Sequence, residues 1–134
     1  MIRSRTQPEL EKLAAFAGWL KAPGSASGAW APSRGKGTIE EPYQFPSYDF
    51  SGLGAAFFDM AYDAGWVIAD FDWVTWKATE EAQGFLSNVA AIGAADSVQL
   101  AKLITTITRQ DRYCDGTLAW AFETGLLTAM ATRA

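Results

Sequence analysis

Asp96 and Gln99 stand three residues apart at the head of an apolar series, Val98, Ala101, Leu103 and Ile104, that carries on to about Asp111. Acid and amide at that spacing satisfy each other's backbone N–H groups, and the apolar recurrence marks one face of a helix. A helix with one apolar face needs other elements to cover it. The rest of the chain is therefore read for partners of this helix.

Thr6 and Glu9 have the same capping spacing, Pro8 suits a first turn, and Leu10, Leu13, Ala14, Ala17 and Leu20 recur at helical intervals. A first helix running from Thr6 until Pro23 and Gly24 stop it follows. A second is expected from Ser51 to Asp63, with Leu53, Phe57, Met60, Ala61 and Ala64 along one side. Gly65 is placed to end it in a left-handed cap, and Trp66 is the apolar contact after it. A short extended piece, Trp66 to Ala69, follows, and Asp72 caps a third helix to roughly Phe85 on which Trp73 and Trp76 share a face. After the Asp96 helix, Asp115 caps a segment from Thr117 to Thr124, Gly125 interrupts it, and Leu126 to Met130 close the series.

Residues 22–47 are rich in Gly, Ser, Ala and Pro, with short pieces at Gly37 to Glu40 and Tyr43 to Phe45. They read as a long loop or a short hairpin after the first helix. Long stretches of this kind inside a domain often bind something. The fold class expected is mainly α, a compact bundle of about five helices. With 134 residues the chain fits one helical domain spanning 1–134. Apolar side chains make up 49% of it, which supplies the volume for a core.

The chain has no histidine and its one cysteine is Cys114. That excludes an internal disulfide framework, Ser-His-Asp and Cys-His units, and His-ligated metal sites. The apolar run Leu13 to Leu20 lies between Lys12 and Lys21 and is far shorter than the roughly 20 residues a bilayer span requires. No membrane association is expected, and a cytoplasmic location is.

Charge is segregated along the chain. Residues 1–36 carry six bases and two acids, net +4; residues 37–100 carry ten acids against the single base Lys77, net −9; residues 101–134 carry four bases and three acids, net +1. The acidic stretch is also rich in aromatics, including Phe57, Phe58, Trp66, Trp73 and Trp76. Acidic surface repels phosphate backbones, so nucleic acid is not the expected partner. Acids interleaved with aromatic rings suit a basic protein partner, or else form a solvated face over an aromatic core.

Gly35-Lys36-Gly37-Thr38 lacks the spacing of a phosphate loop, having Trp30 where Gly is needed and Gly37 after the lysine. Asp70 and Asp72 form an Asp-x-Asp pair whose oxygens suit Mg²⁺ or Ca²⁺, with Asp59 or Asp63 nearby. No calcium-loop ligands follow, and capping already accounts for Asp72. No metal and no cofactor are assigned. The doublets Glu40-Glu41 and Glu80-Glu81 point their carboxylates apart and make no catalytic pair.

The densest polar cluster is Arg109, Gln110, Asp111, Arg112, Tyr113, Cys114 and Asp115. Arg109 and Arg112 beside Tyr113 could bind a phosphate or carboxylate, and Cys114 could be activated by an arginine. Alternatively the arginines pair with Asp111, Asp115 or Glu123 and lock a helix corner. The candidate binding residues are thus Arg109, Asp111, Arg112, Tyr113 and Glu123 at the corner, and Asp70, Asp72, Trp73 and Trp76 on the acidic aromatic stretch. No catalytic residue is assigned.

The run Arg109 to Gly116, continued by Leu118, Ala121, Phe122, Glu123 and Gly125, resembles the C-terminal signature of DUF6508, a bacterial and phage family defined only as a domain of unknown function. Gly65-Trp66 and Phe71-Asp72-Trp73 resemble its middle. The resemblance covers 48–130, is most specific in the last quarter, and implies a small helical domain without implying an activity. The function expected is that of a non-enzymatic interaction protein, a small inhibitor or regulator of the anti-defence type. The alternative is a small-ligand binder or enzyme built on Arg109 and Arg112.

Overall fold

Both capping boxes form. In the computed structural model, which describes residues 2–21, 28–31, 38–40, 47–50, 52–111 and 117–134, Thr6 and Glu9 cap α1 (Gln7–Ala14) reciprocally. Asp96 and Gln99 exchange bonds of 2.9 and 2.8 Å at the head of α6 (Ser97–Asp111). Between them lie α2 (Phe16–Lys21), β1 (Gly28–Ala31), β2 (Ser47–Phe50), α3 (Gly52–Asp63), α4 (Trp73–Lys77), α5 (Glu80–Ser87) and a 3₁₀ helix (Val89–Ala94). After α6 come α7 (Thr117–Glu123) and α8 (Leu126–Arg133). The architecture is mainly helical, as the periodicities require.

Several boundaries differ from the sequence reading. The first helix is two, because the chain turns at Ala15, whose N–H bonds back to Glu11 and Leu13. That turn lets Phe16 and Leu20 join Leu13 in the core. The single helix expected from Asp72 to Phe85 is also two. Asp72 caps α4, and Thr79, accepting from the Ala82 N–H at 3.2 Å, starts α5 afresh. Trp66 to Ala69 is not a strand: the Ile68 N–H goes to the Thr105 hydroxyl at 2.9 Å, so this segment is tied to α6 instead of a neighbouring strand. The last helix continues past Met130 to Arg133.

The hairpin alternative is realised in other residues than those expected. Gly28–Ala31 pairs antiparallel with Ser47–Phe50, Gly28 opposite Phe50 and Ala31 opposite Ser47. Gly37 and Tyr43 to Phe45 lie outside the described residues, as does most of the loop-rich segment 22–47; Thr38 to Glu40 are exposed.

Gly65 ends α3 as expected, at φ 76°, with the Trp66 N–H returning to the Ala61 carbonyl at 2.9 Å. Trp66 is fully buried and its indole N–H donates to the Glu9 carbonyl at 2.9 Å. Above Gly65 the Arg3 guanidinium grips the Glu9 carboxylate with two 2.7 Å bonds. This pair holds Glu9 down to about pKa 2, mainly through the Arg3 hydrogen bond.

Arg5, also near this corner, lies over the Trp66 ring at 5.9 Å and donates its backbone N–H to the Ser97 hydroxyl. Burial, and then the charge of Arg3, lower its pKa.

The core is centred on α6, which buries Leu100, Leu103, Ile104 and Ile107, and on α8, which buries Leu126, Leu127 and Met130. α8 packs on the 3₁₀ helix, α2, α1 and α7. Side chains of this size stabilise by about 1.5–3 kcal/mol each when fully buried, so these two helices set the frame; α4 packs on α6, and α5 on the 3₁₀ helix and α4. No helix among the described residues is long and apolar enough to cross a membrane.

Candidate functional site

Of the nine expected candidates, Trp73 and Trp76 lie on α4, Asp72 is its cap and Asp70 stands just before it. Asp72 caps α4 by accepting the Thr75 N–H at 3.1 Å and its hydroxyl at 2.6 Å, and these Thr75 bonds lower its pKa, so it carries full charge at neutral pH. From that cap α4 sends Trp76 inward, leaves Trp73 half-buried, and exposes Val74 to 61%. Asp70, Asp72 and Glu80 are all exposed around it.

The Trp76 ring leans on Phe71, with centroids 5.9 Å apart, and the Lys102 ammonium of α6 stands 5.9 Å from both rings. Its indole N–H reaches Glu81 at 3.4 Å, and the other Glu81 oxygen accepts from Gln99 at 2.9 Å. Lys77 donates to Gln110 of the same helix. Lys77 of α4 is therefore drawn to an amide of α6, and Lys102 reaches out from α6 over the rings of Phe71 and Trp76. The outward surface of α4 and early α5 keeps its acids and Val74.

Such a surface can attract cations and basic side chains. It shows no acid/base pair: Asp72 serves as a cap, and Glu81 is shared between Trp76 and Gln99. Among the described residues no three of Asp, Glu, Cys or His gather as metal ligands.

The arginine corner is arranged differently. Arg109 lies 6.0 Å from the Tyr62 ring of α3, a cation–π contact. Asp111 is buried and accepts the Leu118 N–H at 3.1 Å, which makes it a cap for α7. Glu123 is exposed at the opposite end of that helix. Among the described residues the ion pair within 4.0 Å is Arg3–Glu9, so Arg109, Asp111 and Glu123 do not join one another. Arg112, Tyr113, Cys114 and Asp115 lie outside the described residues, as do Gly35, Lys36 and Gly37.

Sequence reasoning thus found Asp70, Asp72, Trp73 and Trp76 together, and missed Phe71, Val74, Glu81, Gln99 and Lys102 around them. One signal was available: Thr79 followed by Glu80 and Glu81 is a helix start, which would have separated α5 and placed Glu81 in its first turn.

No curated protein and no solved structure matches the chain. The model of a family of unknown function (DUF6508) matches residues 5–134, nearly the whole sequence and far more than the C-terminal part on which the resemblance is most specific. The capped α1, the Gly65–Trp66 corner and the α4 face all fall within that match, and the chain belongs to this family.

Proposed function

We propose that the protein is a non-enzymatic interaction module whose α4–α5 face receives a basic segment of a protein partner. The observation that carries this reading is Val74, 61% exposed on a helix flanked in sequence by the exposed acids Asp70, Asp72 and Glu80, while Lys77 is engaged by Gln110 and Lys102 by the rings of Phe71 and Trp76. An exposed aliphatic side chain beside half-buried Trp73 offers contact area, and unneutralised acids around it speed encounter with a cationic surface. The buried Asp111 cap supports the same choice, since it ties up a carboxylate that a ligand site at the arginine corner would need. A small inhibitor or regulator of bacterial or mobile-element origin, working in the cytoplasm, fits a domain of this size and surface.

A photo-crosslinking residue at position 74, with the same residue at exposed Lys12 as control, tests the reading in extracts of the source cells. The expected result is a discrete adduct with a basic protein from position 74 that is absent from position 12. Combining Asp70→Lys with Glu80→Lys should weaken its capture about tenfold at low salt, with the difference shrinking as salt rises, because surface charges screen over about 8 Å at physiological strength. Equal adducts from both positions, or capture indifferent to charge reversal, would refute it.

A further inference from the structure

A cleft of about 420 Å³ opens on another side of the molecule, between α1, the head of α6 and the end of α8. Its making is legible in α1. The residues Gln7, Leu10, Glu11 and Ala14 follow helical spacing along one side, next to the row that sends Leu13 into the core. Leu10 and Ala14 are only half-covered, and Leu100 and Ala95, both fully buried, close the cleft from the α6 side. The interior is therefore apolar and in the size range of sites for small molecules, roughly 300–1,000 Å³.

Three charged side chains, each from a different element, line the same cleft: Glu11 from α1, Asp96 before α6, and Arg133 from α8. None forms an ion pair with another. Glu11 takes a single long bond of 3.4 Å from Gln7. Asp96 uses one oxygen to cap Gln99 and, among the described residues, takes no donor on the other. The helices that carry these charges hold them apart around the opening, so acid and base do not neutralise each other within the chain.

We propose that this cleft binds a short zwitterion with an apolar side chain, of the amino-acid or dipeptide class. Its ammonium sits toward Glu11 and Asp96, its carboxylate meets Arg133, and its side chain lies on Leu10, Ala14 and Leu100. A ligand with both charges completes three side chains at once, whereas a simple cation leaves Arg133 unmatched and a simple anion meets two carboxylates. The apolar floor adds the burial that a free buffer ion cannot provide. The inference does not rest on the reading of the α4–α5 face: the two share α6, but none of the residues named for this ligand contacts α4 or α5 in a bond given above.

The experiment is amide NMR of the full chain titrated with L-leucyl-L-leucine to about 10 mM, a range that captures binding of a few kcal/mol. The expected result is saturable shifts confined to Leu10, Glu11, Ala14, Leu100 and their neighbours. Arg133→Ala, at an exposed position, and Glu11→Gln should each weaken binding about three- to tenfold, as loss of a partly solvated charged contact would. Ala14→Phe, which fills the cleft, should abolish it. Absence of shifts, shifts centred elsewhere, or equal binding of the doubly capped N-acetyl-leucyl-leucinamide would overturn the proposal; Arg133→Ala keeps it open to refutation if Ala14→Phe disturbs the fold.

Discussion

Trp66 and Trp76 are two buried indoles ten positions apart in one stretch of chain, and their surroundings divide the molecule into a fastened part and a presented part. Trp66 is fully covered, donates to a backbone carbonyl of α1, and sits beneath Arg5 where the N-terminal segment, α3 and α6 meet. Trp76 keeps 7% exposure, donates to the exposed side chain of Glu81, and is roofed by one lysine. The first indole joins segments far apart in sequence, so its surroundings cannot change piecemeal. The second belongs to a short, locally capped helix laid on α6, so its outer surface can vary while the frame stands. That contrast supports the proposal that the α4–α5 face, and not the Gly65 corner, is used for recognition.

The contrast is broken most directly by truncating both rings. Trp66→Ala should cost about 3–5 kcal/mol, the usual range for a fully enclosed large aromatic, and Trp76→Ala at least about 1 kcal/mol less because part of its environment is solvent and mobile side chain. Urea unfolding followed by circular dichroism compares the two, with Trp66→Phe as a milder variant if the alanine form does not fold. Equal losses would mean that α4 is as deeply fastened as the Gly65 corner, and the division would fall.

A smaller effect sharpens it. Gly65 and Gly125 both adopt left-handed backbone, at φ 76° and 82°. Alanine at either should cost about 1–2 kcal/mol for that conformation alone. The surroundings differ: a Cβ on Gly65 would stand 2.7 Å from Glu9 Oε2 and 3.5 Å from Arg3 Nη2, whereas on Gly125 it meets nothing within 4 Å. Gly65→Ala should therefore destabilise more than Gly125→Ala in the same urea titration, and adding Arg3→Ala should shrink the gap. Identical costs would show that the Arg3–Glu9 pair adds nothing to the corner.

What could be read from sequence follows the same division by range. Thr6 with Glu9, Asp96 with Gln99, Asp72 as a cap and Gly65 as a stop are contacts between near neighbours, and each formed as the spacing required. The break at Ala15 was not readable, because alanine favours helix and the chain bends there only so that Phe16 and Leu20 reach the core. The separation of α4 from α5 was readable in Thr79 but was masked by the apolar spacing that runs across it. Of the candidate site, Asp72, Trp73 and Trp76 shared one helix and were found together. The positions of Lys102 over Phe71 and Trp76, and of Arg109 over Tyr62, depend on how α6 packs against segments distant in sequence. Local pattern carries no information about that. The same limit explains why the cap that Asp111 makes across the turn into α7 was not read from the sequence.

The smallest expected effect concerns protons. Glu9 is held at about pKa 2 in the folded chain against an ordinary value of 4.5, chiefly by the Arg3 hydrogen bonds. A carboxyl whose folded value is depressed adds stability that is fully present above its unfolded value and is lost as pH falls through the folded one. The contribution of this group should thus be constant above pH 4.5 and fade between there and about pH 2. Arg3 is 58% exposed and solvent screens the pair, so the change should be modest beside the loss of Trp66. Carboxyl-detected NMR resolves it directly: in the native chain the Glu9 signal should titrate far below the ordinary value of 4.5, and Arg3→Gln should bring it most of the way back. A Glu9 that titrates normally in the native chain would mean that the clasp over Gly65 is not closed in solution, and the fastened half of the molecule would then rest on Trp66 and its packing alone.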